Sequence, residues 1–121
     1  MISQKWIALV AALLFSLGVS AREQAELAAI GVGNLPVEAQ DTLVLIKRNG
    51  PFPFAKDGAV FGNYEQVLPK QKRGYYHEYT VLTPGVRGRG ARRLIAGGIS
   101  PGQQQYYYTD NHYRTFKRIQ Q

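Results

Sequence analysis

One carboxylate, one imidazole and a cluster of guanidinium groups are the residues of this chain whose types could do chemistry together. Glu78 lies in the middle of Tyr75-Tyr76-His77-Glu78-Tyr79-Thr80-Val81. A few residues on, Arg87-Gly88-Arg89-Gly90-Ala91-Arg92-Arg93 places four arginines in seven positions. His112 follows, in Thr109-Asp110-Asn111-His112-Tyr113-Arg114. A carboxylate can take a proton from a hydroxyl, an imidazole can return one to a leaving oxygen, and arginines can hold phosphorane charge between them. Arginine suits that part because it stays charged and its fork matches phosphate oxygens. Together these make a minimal set for transphosphorylating RNA, which brings its own nucleophile, the 2′-OH. By residue type alone, a Glu near arginines also reads as an ordinary salt bridge, and a lone His as a surface residue. Both readings stay open at this point.

The elements that must position these groups can be read from spacing. Leu35, Ala39, Leu43 and Ile46 recur at helical intervals. Pro36 suits a first turn, Glu38 and Asp41 lie near its start, Lys47 and Arg48 near its end, and Asn49-Gly50 forms a stop. That pattern predicts one amphipathic helix. Pro- and Gly-rich loop follows through residues 51–63. Residues 75–83, Ala91 to Gly98, Gln104 to Asp110 and Tyr113 to Ile119 then read as short strands separated by Gly, Pro, Asn and Asp. One helix before a run of strands predicts an α+β domain with the helix packed on an antiparallel sheet. Alternation puts Tyr76, Glu78, Thr80 and Leu82 on one strand face, with His77 and Tyr79 on the other. Arg89, Ala91 and Arg93 would share a face of the next strand, so a hairpin would bring Glu78 beside Arg89 and Arg93.

The rest of the chain bounds the setting. Residues 1–21 carry Lys5, an apolar run from Trp6 to Val19 and a small residue at Ala21. They read as a secretory signal peptide cleaved after Ala21, the run being short of the roughly 20 residues a spanning helix needs. Residues 22–34 read as a weakly structured lead-in ending in a Gly-rich linker, and residues 35–121 as the folded domain. The formal net charge is +7. From Leu35 to Gln121 there are thirteen basic and six acidic residues, which points to a polyanionic partner. There are no cysteines, so the exported domain has no disulfide. His77 and His112 are the only histidines, and no metal site or cofactor is expected. Tyr106, Tyr107 and Tyr108 are expected to pack the sheet. His77 is expected to be structural, and Lys70, Lys72, Arg73, Lys117 and Arg118 to form a solvated basic surface.

From Leu35 onward the chain resembles the bacterial guanyl-specific ribonuclease family, the group of barnase and ribonuclease Sa. The stretches that carry the likeness are LPVEAQDTLVLI, NGPFPFAKDGAVFGNYEQVLP, GYYHEYTVLTPGVRGRGARRLI and YYTDNHYRTF, in the family's order. The resemblance implies the microbial ribonuclease fold, with Glu78 as general base, Arg89 and Arg93 at the phosphate, and His112 as general acid. It sets Tyr113 near the phosphate or base. It also implies a guanine site along Phe61, Gly62, Asn63, Tyr64 and Glu65. Phe61 would line the base, the amides of residues 62–64 would face O6 and N7, and the Glu65 carboxylate would accept from N1–H and the 2-amino group. Gly62 and Tyr64 depart from the polar or charged residues frequent there, Asn111 stands for a frequent Asp, and the loop at residues 97–105 is longer than in ribonuclease Sa.

The leading expectation is thus a secreted, monomeric endoribonuclease that cuts single-stranded RNA 3′ to guanosine through a 2′,3′-cyclic phosphate. An acidic inhibitor protein is a partner the family implies. A non-catalytic basic module binding nucleic acid is the rival reading, and it needs neither Glu78 nor His112. The same chemistry used as an interbacterial toxin is a third.

Overall fold

The apolar stripe of one helix decides which face of the sheet is covered and which is left for a site. The computed structural model describes residues 27–99 and 104–121. The expected signal segment, the first part of the lead-in and the tip of the loop after Gly98 lie outside those residues. Helix α1, Val37–Lys47, begins after Pro36 and buries Ala39, Leu43 and Ile46, with Leu35 just ahead of it. The Asn49-Gly50 stop forms as expected, the Gly50 amide donating to the Leu45 carbonyl at 2.8 Å. Thr42, buried on the same face, shares its hydroxyl proton between the Glu38 and Thr80 carbonyls, each at 3.1 Å. That bond fastens the helix to the strand that carries Glu78.

Strands β1 (Ala28–Gly31), β2 (Tyr76–Thr80), β3 (Arg93–Gly97), β4 (Gln105–Thr109) and β5 (Lys117–Gln120) form a sheet of order β1-β5-β4-β3-β2. β2 to β5 pair antiparallel, as expected, but β1 runs parallel to β5, so the sheet is mixed. The lead-in reading therefore fails for residues 28–34. They supply an edge strand and a 3₁₀ turn, Val32–Asn34. Ala28-Ala29-Ile30-Gly31 has little β-propensity and no alternation, and its conformation comes from pairing with a strand almost ninety residues away.

Alternation then sorts side chains into two clusters. Leu94, Ala96, Tyr106, Tyr108 and Ile119 face the helix together with Val81 and the half-buried Tyr79. Tyr76, Ile95, Tyr107 and Phe116 face the other way and are closed over by Leu68 from the long loop before β2. The tyrosine run packs the sheet as expected, 106 and 108 toward the helix and 107 away from it. Each fully buried apolar side chain contributes roughly 1.5–3 kcal/mol.

Burial raises the phenol pKa of Tyr76, Tyr79, Tyr107 and Tyr108 above the ordinary value. An acid whose pKa is raised by folding ionises first in the unfolded chain. Stability is then complete below the ordinary tyrosine pKa of about 10 and is lost as pH rises through it. Urea midpoints measured at about pH 8 and about pH 11 should therefore fall toward the alkaline value. An unchanged midpoint would contradict the packing described.

A candidate acid–base cleft

Glu78 lies on β2, the last strand of the sheet, yet has backbone partners on both sides. On one side it pairs with Ile95 of β3. On the other, residues 58–61 run along β2: the Gly58 amide donates to the Glu78 carbonyl and the Glu78 amide to the Ala59 carbonyl, both at 2.8 Å. Asp57 pins the start of that segment, accepting from the Thr80 amide at 2.7 Å and the Phe54 amide at 3.1 Å. The side chain therefore leaves a fixed backbone on the same face as Tyr76, as alternation predicted, and that face points away from the helix.

Both oxygens of the carboxylate have partners. Arg89 Nη2 donates to Oε1 at 2.9 Å and the Tyr113 hydroxyl to Oε2 at 2.6 Å. Arg89 Nε donates to Thr80 Oγ1 at 3.0 Å, which sets the guanidinium in place. Burial and the hydrogen bond to Glu78 push the Tyr113 phenol up to about 12, so it remains a proton donor throughout the neutral range. The route to this cluster differs from the expected hairpin. β3 begins only at Arg93, which pairs with Thr80, and Arg89 reaches Glu78 from the connecting loop.

Arg93 is almost fully buried and does not bond Glu78. Its Nη1 donates to the carbonyls of Arg92 at 2.7 Å and Gly90 at 3.0 Å, and more weakly to Arg89 at 3.4 Å. The guanidinium carbon lies 6.0 Å from the centre of the Tyr113 ring. Its Nε is buried and has no hydrogen-bond partner among the described residues. A buried cation with an unsatisfied donor is a place where an anion would be stabilised.

His112 sits in a turn ahead of β5, which begins only at Lys117 and not at Tyr113. It and Tyr113 both take positive φ, 56° and 74°, a left-handed pair that needs external support. Asn111 provides it: Oδ1 accepts from Thr109 Oγ1 at 2.9 Å and from the Thr115 amide at 3.0 Å, and Nδ2 donates to Thr115 Oγ1 at 2.8 Å. The His112 amide donates to the Ala91 carbonyl at 3.0 Å, and the Tyr113 amide to Thr109 Oγ1 at 3.2 Å. Asn111 thus shapes the turn that presents the imidazole.

A cleft of about 510 Å³ joins these parts. Phe61, Gly62, Asn63, Tyr64, Glu65, Glu78, His112 and Tyr113 all line it, so the expected base-binding loop and the expected acid–base pair share one wall. Arg89 and Arg93 stand behind Glu78 and Tyr113 and are not part of that wall. Phe61 and Tyr113 stack at 4.8 Å between centroids. Asn63, at φ 53°, ties the loop by donating to the Leu68 carbonyl at 2.9 Å and accepting from its amide at 3.1 Å. Among the described residues the amides of residues 62–65 and the Glu65 carboxylate have no hydrogen-bond partner. Gly62 and Tyr64 go together, because a Cβ at 62 would lie 2.5 Å from the Tyr64 ring. The Tyr64 hydroxyl accepts from Arg73 at 2.8 Å, so one cation expected to be merely solvated has a partner. Arg114 also lines the cleft and was missed, although its place directly after His112-Tyr113 was a usable signal.

A fixed carboxylate and an imidazole on a strained turn in one cleft, with a buried arginine beside them, define a site able to hold an anion between a proton acceptor and a proton donor. The comparisons with known proteins agree in kind. The chain belongs to the ribonuclease family, whose sequence model matches residues 19–120. It is 59% identical over 87 residues to guanyl-specific ribonuclease Sa of Kitasatospora aureofaciens, covering 72% of this chain and 88% of that protein. It is 47% identical over 88 residues to guanyl-specific ribonuclease St of Saccharopolyspora erythraea, covering 73% and 83%. Ribonuclease Sa2 in complex with mononucleotides superposes with a TM-score of 0.73 at 48% identity, over 78% of this chain and 95% of that one. Ribonuclease Sa2 with guanosine-2′-cyclophosphate gives 0.71 at 49% identity, over 78% and 96%.

If the unsatisfied Arg93 donor marks an anion site, inorganic phosphate should stabilise the fold. Phosphate at a hundred times its Kd adds about 2.7 kcal/mol by mass action. Thermal melts in phosphate, against chloride at matched ionic strength, should show a raised Tm that Arg89→Ala diminishes. Equal melting in both salts would contradict the assignment.

Proposed function

We propose that the protein is an endoribonuclease that cuts single-stranded RNA on the 3′ side of guanosine. Glu78 is the general base and takes the proton of the 2′-OH as that oxygen attacks phosphorus. The bond to the 5′-oxygen breaks, His112 protonates the departing oxygen, and a 2′,3′-cyclic phosphate remains. Arg89 and Arg93 hold the charge that gathers on the phosphoryl oxygens. In the second step water attacks the cyclic ester with the two roles exchanged, leaving a 3′-phosphate. The observation that carries this reading is the placement of Glu78, clamped between Arg89 and Tyr113, in the same cleft as His112. A carboxylate has about four lone-pair sites, so two donors leave it free to accept a substrate proton.

Guanine fits the loop by its hydrogen-bonding edge. Its N1–H and 2-amino donors meet the unpartnered Glu65 carboxylate, its O6 and N7 acceptors meet the free amides of residues 62–64, and Phe61 lies along its face. The relatives named above are guanyl-specific, which supports the same choice here. Export through the signal-like segment at residues 1–21, action as a monomer and an acidic inhibitor seated on the arginine side of the cleft complete the proposal. The net charge of +7 favours the last, since opposite fields steer such encounters.

Adenine has an acceptor at N1 and no 2-amino group, so it leaves Glu65 unpaired. A site built on polar contacts rejects the wrong base through that penalty. With excess chelator present, wild-type protein should cleave GpC far faster than ApC. Glu65→Ala should depress GpC cleavage by about 10²-fold or more, the scale of lost polar recognition, while slow ApC cleavage stays the same. An unchanged ratio of kcat/KM for the two substrates would sink the guanine assignment.

A further inference from the structure

The sheet face that carries Glu78 holds a second cleft, on the far side of the base-binding loop. Its volume is about 460 Å³, and Tyr75, Tyr76, Tyr107, Gln71, Gln105 and Arg118 form most of its lining. The ridge between the two clefts is the small cluster of Leu68, Tyr76, Ile95, Tyr107 and Phe116. Leu68 and Pro69 lie along it, and the Tyr76 hydroxyl fixes it by donating to the Pro69 carbonyl at 2.5 Å. Gly97, paired with Tyr76 and Gln105, leaves room beside the cleft for two of its rings. A Cβ there would fall 2.8 Å from the Tyr75 ring and 2.9 Å from that of Tyr76, so a side chain at 97 would displace both rings.

The lining has a consistent chemistry. Arg118 is only half-buried, and among the described residues its side chain has no hydrogen bond or ion pair. Arg118 pairs with Tyr107 between β4 and β5, and both side chains line the cleft. Tyr75 packs edge-on against Tyr76 at 4.9 Å and remains half-exposed. Glutamines 71 and 105 add amide donors and acceptors, and among the described residues no carboxylate lines the cleft. A free cation beside a tyrosine face suits a phosphate joined to a base, the combination by which single-stranded nucleic acid is held.

Strand register says which part of a strand would arrive there. Glu78 pairs with Ile95, Ile95 with Tyr107, and Tyr107 with Arg118. Arg118 therefore lies three strand spacings from Glu78, roughly 14 Å at about 4.8 Å each. Arg89 and Arg93 stand at the other end of β2, where Thr80 pairs with Arg93 and accepts from Arg89. The phosphate to be cut belongs at that end, and everything 3′ of it leaves from there. Chain reaching the Tyr76 end is on the 5′ side of the guanosine.

We propose that this second cleft is a binding subsite for the nucleotide on the 5′ side of the guanosine, Arg118 taking its phosphate and Tyr75 stacking on its base. The proposal rests on the guanosine-cleavage reading above. Neighbouring Lys117 provides the control, because it removes the same charge from the opposite face of β5.

The test compares kcat/KM for GpC, UpGpC and GpCpU in wild-type, Arg118→Ala and Lys117→Ala protein. Wild type should favour UpGpC over GpC. Arg118→Ala should reduce that preference by about tenfold, the scale of a lost stacking and phosphate contact, while GpC cleavage stays within about twofold. Lys117→Ala should keep the preference, and GpCpU should respond alike in all three proteins. Absence of a 5′ preference in wild type, an equal loss in Lys117→Ala, or a loss confined to GpCpU would each overturn the subsite. Failure of wild type to cut GpC would instead remove the cleavage reading and the subsite with it.

Discussion

The structure depends on holding a carboxylate in place while most of it is removed from water. Glu78 has a side chain only 13% exposed. A charge in that position is costly unless charged or strongly polarised donors meet it. Arg89 and Tyr113 do so, one on each oxygen, and hydrogen bonds to charged groups contribute about 1.5–3 kcal/mol each. Each donor comes from a different connection, and each connection is shaped by this requirement. Arg89 is delivered by the Gly-rich loop before β3 and braced on Thr80, which Asp57 and Thr42 hold in turn. Tyr113 is delivered by the strained turn that Asn111 ties together.

The clamp also links the two halves of the cleft. Tyr113 stacks on Phe61, and Phe61 packs on Tyr76 and Phe116, so the base-side loop and the acid–base residues share one aromatic seam. That seam belongs to the lesser of the two apolar clusters, on the sheet face the helix leaves open. The helix-side core can therefore carry stability while the open face carries chemistry. The left-handed backbone at His112 and Tyr113 costs of order 1–3 kcal/mol per residue and is tolerated because the surrounding bonds over-determine it.

Much of this was legible in the sequence, for physical reasons that differ by residue. Leu35, Ala39, Leu43 and Ile46 announced the helix because a buried face repeats every three to four residues. Glu78 and Tyr76 were put on one face by the two-residue period of a strand, and the tyrosine run was rightly given to packing. The family pattern gathered Phe61, Glu65, Glu78, His112 and Tyr113 into one site, and the fold brings them to one cleft. What escaped was tertiary. Strand β1 exists only because β5 offers an edge. The path by which Arg89 meets Glu78 depends on where β3 begins, and Gly90 and Ala91 gave no sign of that. The Arg93 bonds to backbone carbonyls, the pairing of Gly62 with the Tyr64 ring and the position of Arg118 over a second cleft have no periodic signature. Residues grouped as one basic surface, Arg73 and Arg118 among them, turn out to have separate surroundings.

The central claim is that Glu78 acts as the base and that its clamp exists to serve that role. The most direct test is the pH dependence of GpC transphosphorylation in wild-type and Glu78→Gln protein, since Gln keeps the shape and an acceptor for Arg89. Wild type should give a bell, with the acid limb set by Glu78 and the alkaline limb by His112. The variant should lose about 10²–10⁴ in rate, keep the alkaline limb and no longer show the acid limb. A variant of near wild-type rate with its acid limb intact would contradict the account.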